Sequence, residues 1–418
     1  MTQLTDDCFA FGGKLMTMAD ALAVLNRRVV PVADVDDVAL ADARGRVLAE
    51  DIVSTVDVPQ HDNAAVDGYA LRFADLRSDA ETRLAVRARA AAGHPAETTV
   101  APGQAARIFT GAVMPAGSDT VVMQEDASRD GDDVLVPPGL KIGANRRKAG
   151  EDIARGSGVL HRGHRLRPQD LGVLAAIGRD RLRLYRRLRV AAFSTGDELQ
   201  EPGQPLRPGG VFDSNRRVLI ALLQNLGCTV DDLGILADNA DDVREALAAA
   251  ADGHDLLITS GGMSTGEEDH VKTAVETLGN LHFWRLAIKP GRPLALGQVD
   301  RTPIVGLPGN PVAAMICFLR FARPLILRLA GATEVEPTFF RVPADFAHRK
   351  KRDRREWVRA RLVRGGDGVL VAQKFDRQGS GILTSMVDSD GLVELPEELT
   401  YLDPGSPVDF LPFNEVVG

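Results

Sequence analysis

The stretch L-L-I-T-S-G-G-M-S-T-G-E-E-D at 256–269 decides how this chain is read. Leu256–Thr259 is an apolar run of strand length. The glycine pair Gly261 and Gly262 interrupts it, and a helical pattern follows over His270–Leu278. The same unit recurs on both sides. Val190–Phe193 leads into S-T-G-D-E-L at 194–199 and a helix over Asn215–Leu226. Leu233–Leu236 leads into Ala237-Asp238 and a helix over Asp242–Ala251. Ile304–Leu307 leads into L-P-G-N-P at 307–311 and a helix over Val312–Leu329. Strand, loop, helix, repeated, predicts a parallel sheet wrapped by helices. Ligands of such sheets sit at the carboxyl ends of the strands, so the four loops are expected to face one site.

The loops carry anion chemistry. Gly261 and Gly262 let backbone N–H groups approach an anion with no Cβ in the way. A following helix aims the positive end of its dipole at the same point. Ser194, Thr195, Ser260 and Ser264 supply neutral donors. Asp197, Glu198, Asp238 and Asp269 only accept. Beside a phosphate they would repel it unless a cation lay between, which implies a hard ion such as Mg²⁺. One Gly-Gly loop alone is more often a plain turn. Four loops on one edge, two of them acidic, favour function.

At 418 residues the chain exceeds one core, because cores stop growing near ~250–300 residues. Its 44% hydrophobic and 26% charged residues are ordinary for a soluble globular protein. A net charge of −8 argues against a general nucleic-acid binder. Cys8, Cys228 and Cys317 form no CxxC pair, which fits a reducing cytoplasm and gives no zinc pattern. No basic region followed by an apolar core opens the chain, so no signal peptide is expected. Val312–Phe318, the most apolar segment, is too short to span a bilayer. The expectation is a cytoplasmic protein with no nucleic-acid or membrane partner.

Thr17 to Arg28 reads as an amphipathic helix capped by Thr17, with Met18, Ala21, Leu22 and Leu25 as its apolar stripe. Residues 37–156 are rich in Val, Ala, Gly and Pro and read as a mostly β module. A helix over Pro168–Ile177 ends at Gly178. The sheet-and-helix domain runs over about 188–337, with Gly227 and Gly279 placed as left-handed helix ends. Pro324 should kink or break its last helix. From 338 the chain is β again, as a small barrel or roll with strands at Phe340–Val342, Glu356–Leu362, Val369–Ala372, Leu392–Leu395 and Val408–Leu411.

Several features have a plain reading beside a sharper one. His161 and His164 have ligand spacing but no further ligand nearby, so an exposed turn is favoured. The basic run Arg349–Arg355 reads as a solvated hairpin turn; the sharper reading points its neighbour Arg359 inward, to an oxyanion. Arg146, Arg147 and Lys148 are a solvated face or one wall of an anionic-ligand cleft. Asp67-Gly68 could be a turn between strands.

Taken together these segments resemble the molybdopterin molybdotransferase family, which inserts molybdate into the pterin cofactor. The resemblance covers almost the whole chain. It runs through V-D-G-Y-A at 66–70, I-F-T-G-A at 108–112, V-V-M-Q-E at 121–125, A-G-E-D-I at 149–153 and F-S-T-G-D-E-L at 193–199. It continues through S-G-G-M-S-T-G-E-E-D at 260–269, A-I-K-P-G-R-P at 287–293, G-L-P-G-N-P at 306–311 and Q-G-S-G-I-L at 378–383. Order and spacing together make it specific. It implies an elongated linker region (1–36 and 157–187), an inserted β module (37–156), the α/β domain (188–337) and a C-terminal β-barrel (338–418). It further implies a homodimer with shared active sites, adenylylated molybdopterin and molybdate as substrates, Mg²⁺, release of AMP, and transient contact with a molybdopterin adenylyltransferase.

Carried over by position, Asp67, Thr110 and Asp152 match functional positions of the inserted module. Glu198 and Asp269 join them as catalytic candidates. Ser194, Thr195, Gly196, Asp197, Gly261, Gly262 and Ser264 match the nucleotide side, with Asp238 and Asp269 on the metal. Lys289 and Arg292 match a basic pair, Arg359 and Ser380 an oxyanion-binding pair, and Pro308 and Pro311 a rigid loop lining the cleft. A dianion such as molybdate suits Lys, Arg and a hydroxyl. The chain departs from the family at His61, Ala64, Val66, Arg292, Ala313 and Asp390. Two alternatives are a molybdopterin adenylyltransferase, which would need only residues 188–332, and a gephyrin-like scaffold, which would call for a fused domain or long disordered linker.

Overall fold

The structure is a computed structural model and describes residues 16–417 except 33, 238, 263–269, 292 and 367. Its centre is a six-stranded sheet in the order Thr229–Leu236, Arg189–Thr195, Leu256–Ser260, Thr302–Leu307, Pro293–Val299, Gly279–Arg285. The first four strands are the expected ones and run parallel. The last two form an antiparallel hairpin on the edge. The central strands are apolar on both faces because both are covered. Val190, Ala192, Leu256, Ile258, Val305 and Leu307 face the helices Met18–Arg28, Asn215–Asn225 and the segment from Pro311 to Leu329. Ala191, Phe193, Leu257 and Ile304 face Ala240–Gly253 and His270–Leu278.

Helix ends follow local chemistry. The Thr17 hydroxyl accepts from the Asp20 N–H at 3.1 Å. Gly178 and Gly227 take the left-handed conformation past their helices. Gly279 does not. It begins the edge strand, and a Cβ there would lie 2.1 Å from the Gln298 carbonyl oxygen, so close approach rather than backbone handedness calls for glycine. Before Pro324 the last helix widens into a π-type turn over Phe318–Ala322 and then continues, which accommodates the proline without ending the helix.

The C-terminal part is a closed barrel. Leu370–Lys374, Arg355–Arg364, Gly391–Leu395, Pro407–Pro412 and Phe340–Pro343 pair in turn, and an Ala344–Ala372 bridge joins the last to the first. Ile288–Lys289, out of the α/β part, adds itself to Arg355–Arg364 as one more strand. The β module is a mixed six-stranded sheet from Gly68 to Val136. Its two apolar clusters consist of residues between 64 and 140. Residues 38–58 pack instead with 153–184.

Two plain readings need correction. His164 is not an exposed turn: its Nε2 sits 2.8 Å from Asp170, a buried carboxylate that also takes the Arg167 backbone and guanidinium. The basic run is a solvated turn only in part: Arg349 and Lys351–Asp353 are exposed, but the rest is tied down. Lys350 Nζ is caged by the carbonyls of Pro396, Glu397 and Leu399, while Arg354 and Arg355 pair with Glu356, Glu394 and Glu397. A carboxylate six residues on decides the first case, and acceptors about forty to fifty residues away decide most of the second.

Candidate active site

In chain order the four parallel strands are placed 2-1-3-4, so the sheet reverses direction between Arg189–Thr195 and Leu256–Ser260. Connections leave these two strands toward opposite faces and open a crevice at their carboxyl ends. Here the loops meet. Gly261 N–H donates to the Leu307 carbonyl at 3.0 Å. Ser260 Oγ donates to the Pro308 carbonyl at 2.9 Å. Asn215 Nδ2 lies 2.9 Å from Ser260 Oγ and donates to the Gly309 carbonyl at 2.7 Å. Gly262 has φ +66°, and a Cβ there would fall 2.0 Å from Thr195 Oγ1. Only glycine allows both the handedness and the approach.

Two compartments share Gly261 and Gly309. The larger, about 470 Å³, lies between the sheet loops, the Lys289–Gly291 segment and the barrel loop Gln378–Ser380. Pro308 and Ala313 line it. The smaller, about 190 Å³, is bounded by Thr195, Glu198, Phe212, Asp213, Asn215 and Pro311. The barrel loop is fixed at both ends. The Val312 N–H, in the first turn of its helix, donates to the Ser380 carbonyl at 3.0 Å. Behind the loop lies Arg359, 1% exposed. Its guanidinium donates to Ser385 Oγ at 3.0 Å and to the Gly379 carbonyl at 3.0 Å. Its hydrogen-bond partners among the described residues are neutral oxygens, and burial pulls its pKa down to about 10. The barrel therefore keeps a charge-bearing group beside the cleft with no carboxylate of the described residues bonded to it.

Of the residues singled out by sequence, Gly261, Gly262, Lys289, Pro308 and Ser380 line the larger compartment, and Thr195, Glu198 and Pro311 the smaller. Gly196 and the exposed Asp197 lie in the turn between Thr195 and Glu198. Ser194 Oγ is buried with no hydrogen-bond partner among the described residues. Asp67 and Thr110 meet on the β module. The Thr110 N–H and hydroxyl each reach Asp67 Oδ1 at 2.8 Å and hold that carboxyl below its usual range. Asp152 is exposed on the adjoining loop, where its N–H donates to the Val58 carbonyl. Asp238, Ser264, Asp269 and Arg292 lie outside the described residues. Among the described residues no three His, Cys, Asp or Glu side chains converge as a metal site.

Three positions escaped the sequence reading. Asn215 reads only as a helix start, yet it ties the two central loops. Gln378 exchanges hydrogen bonds with the Arg359 backbone and so sets the barrel loop. Glu356, 2% exposed, pairs with Lys289 at 3.4 Å. Its only sequence signal was the basic run beside it.

Three family descriptions lie in order along the chain: MoeA N-terminal region (domain I and II) over residues 16–178, probable molybdopterin binding domain over 191–328, and MoeA C-terminal region (domain IV) over 341–413. The chain is 39% identical over 381 residues to a molybdopterin molybdenumtransferase of Haemophilus influenzae, covering 91% of this chain and 94% of that one. It is 38% identical to the protein of the same name from Nostoc sp., covering 90% and 88%. A crystal structure of the molybdopterin biosynthesis moeA protein from Pyrococcus horikoshii superposes with a TM-score of 0.83 at 29% identity, covering 96% of this chain and 100% of that one. No helix among the described residues is long and apolar enough to cross a membrane.

Proposed function

This chain belongs to the molybdopterin molybdenumtransferase family, and on that premise we propose that it inserts molybdate into adenylylated molybdopterin with release of AMP. The observation that carries the reading is the larger compartment, where the Gly262 backbone, the Lys289 ammonium and the Ser380 loop surround one space. A tetrahedral dianion fits that set of donors. The buried Arg359 adds positive charge through the loop it supports. The smaller compartment shares Gly261 and Gly309 with that space and would take a ring of the nucleotide or pterin in this reading.

The donor chemistry also fits Mg²⁺. Glu198 and Asp197 are exposed oxygen ligands at the end of the Arg189–Thr195 strand. When bound, the ion would offset the charge that builds on departing AMP. The chain's own residues orient the phosphate on the glycine loop and hold molybdate on the barrel side. Asp67, Thr110 and Asp152, packed on a separate module, serve the cleft of a second copy in this reading. The substrate has to come from an adenylyl transfer to molybdopterin, so transient contact with the adenylyltransferase belongs to the same proposal.

An adenylyltransferase alone would need only the α/β part, whereas the relatives match across about nine-tenths of the chain. The test supplies adenylylated molybdopterin, molybdate and Mg²⁺ and follows AMP. Release should depend on molybdate. Accumulation of adenylylated pterin from molybdopterin and ATP would refute the reading. For the shared site, inactive Asp67→Ala and inactive Asp269→Ala chains should recover part of the activity after subunit exchange; a fully active monomer would exclude it.

A further inference from the structure

Glu356 stands directly behind Lys289. The two are register partners where Ile288–Lys289 joins the barrel strand Arg355–Arg364. The Glu356 carboxylate is 2% exposed, and its two oxygens are used differently. Oε1 takes the Arg354 guanidinium. Oε2 is shared by His348 Nε2 at 3.2 Å and Lys289 Nζ at 3.4 Å. Arg354 and His348 belong to the barrel and are mostly covered, with side chains 16% and 13% exposed. Lys289 comes from the α/β side, is 47% exposed and lines the larger compartment. Among the described residues it is the partner of this carboxylate that also lines that compartment.

The geometry points to Glu356 as the residue that positions the Lys289 ammonium against an oxyanion in the cleft. An ammonium has three N–H donors, so one given to Glu356 leaves two for a ligand. A lysine head on its four-carbon stem is otherwise free to wander. Holding it beforehand spares the ligand the entropy of ordering it. The same strand carries Arg359 three residues on, so one barrel strand sets both the exposed cation and the buried one. Glu356 itself is a positioning residue, since it acts through Lys289. The inference rests on the proposed placement of molybdate beside Lys289.

A double-mutant cycle tests it on the full chain. Molybdate binding is measured by isothermal titration for the wild type, Glu356→Gln, Lys289→Met and the double variant, with a thermal melt of each. Glu356→Gln should weaken molybdate binding roughly tenfold. Added to Lys289→Met, it should weaken binding less than about twofold further, because its effect passes through the missing lysine. Losses that add in full would overturn this inference and leave the proposed function standing. Unchanged binding in Lys289→Met would overturn the oxyanion placement and this inference with it. Should Glu356→Gln not fold, Glu356→Asp keeps the charge and shortens the reach. The same dependence on Lys289 is expected of it, and a loss that persists in the Lys289→Met background would overturn the role.

Discussion

On the sheet side the cleft is walled by loop backbone, brought together by glycines and by the bonds of Ser260 and Asn215 to the loop carbonyls. On the barrel side it is walled by charges, with Arg359 and Glu356 inside the barrel wall and Lys289 at its surface. The first wall depends on backbone shape. The second depends on burial, since a charge behind a loop is strong only while water stays away. The two walls should therefore fail differently. Damage to the sheet side should act on all ligands at once, and damage to the barrel side on the oxyanion alone.

Gly262→Ala is the harshest test of the sheet wall. The new Cβ meets Thr195 Oγ1 at 2.0 Å and Val271 Cγ2 at 3.1 Å. Left-handed backbone costs a non-glycine residue roughly 1–3 kcal/mol before any clash. The Thr195 and Gly261 loops should part, and AMP release should fall about a hundredfold or more at any molybdate concentration. Recovery of activity at high molybdate would place this loop with the barrel wall.

Arg359→Ala should do less and be selective. The Arg359 guanidinium bonds hold the Gly379 carbonyl and Ser385, and a charge-assisted hydrogen bond is worth roughly 1.5–3 kcal/mol, so loosening the Ser380 loop should raise the molybdate requirement about ten- to a hundredfold. Nucleotide binding, read by titration with AMP, should stay near normal, and sulfate should compete with molybdate. Loss of nucleotide binding with an unchanged molybdate requirement would reverse the assignment of the two walls.

The walls also differed in how plainly the sequence announced them. Parallel strands covered on both faces are continuous apolar runs, and Gly261-Gly262 ends one of them, so sheet, edge and loops were legible. The edge hairpin of Gly279–Arg285 and Pro293–Val299 was not, because no helix separates its two strands to mark them. The barrel strands were found, but not which of their charges were inside. Along Glu356–Ala360 both faces are buried, so the alternation that separates inside from outside is lost, and Arg359 looks like Arg361, which is exposed. The pairing of Lys289 with Glu356 spans two units of the fold and leaves no local trace.

Acid should loosen the barrel wall. Burial alone would raise the Glu356 pKa, but hydrogen bonds from His348 and Arg354 and the Lys289 charge bring it from 4.5 down to about 2. A carboxyl depressed in the folded state contributes its stability above the unfolded value and loses it as pH falls through the folded one. That window runs from about 4.5 to about 2. Glu356→Gln should flatten the fall in stability there, by a few kcal/mol at most. Melting curves across that range check it. An equal slope in the variant would mean that other carboxylates govern the acid limit.

Asp390→Asn should have the smallest effect and draws the outer limit of the charged wall. Asp390 stands where the family commonly has Asn, close in the chain to Ser385 and the barrel strands. Its Oδ2 accepts from the Leu362 N–H at 2.8 Å, while its own N–H donates to the Ala360 carbonyl. An asparagine oxygen can accept the first bond and its backbone can repeat the second. Only the charge is lost, at an exposed position, so the cost should stay under about 1 kcal/mol. The molybdate requirement should not move. Asp390→Ala, which removes the acceptor, should melt lower than Asp390→Asn. If Asp390→Asn shifted the molybdate requirement in the AMP-release assay, the field at the cleft would extend past Arg359 and Glu356 to the barrel's outer face. Burial would then no longer be what separates this wall from the sheet side.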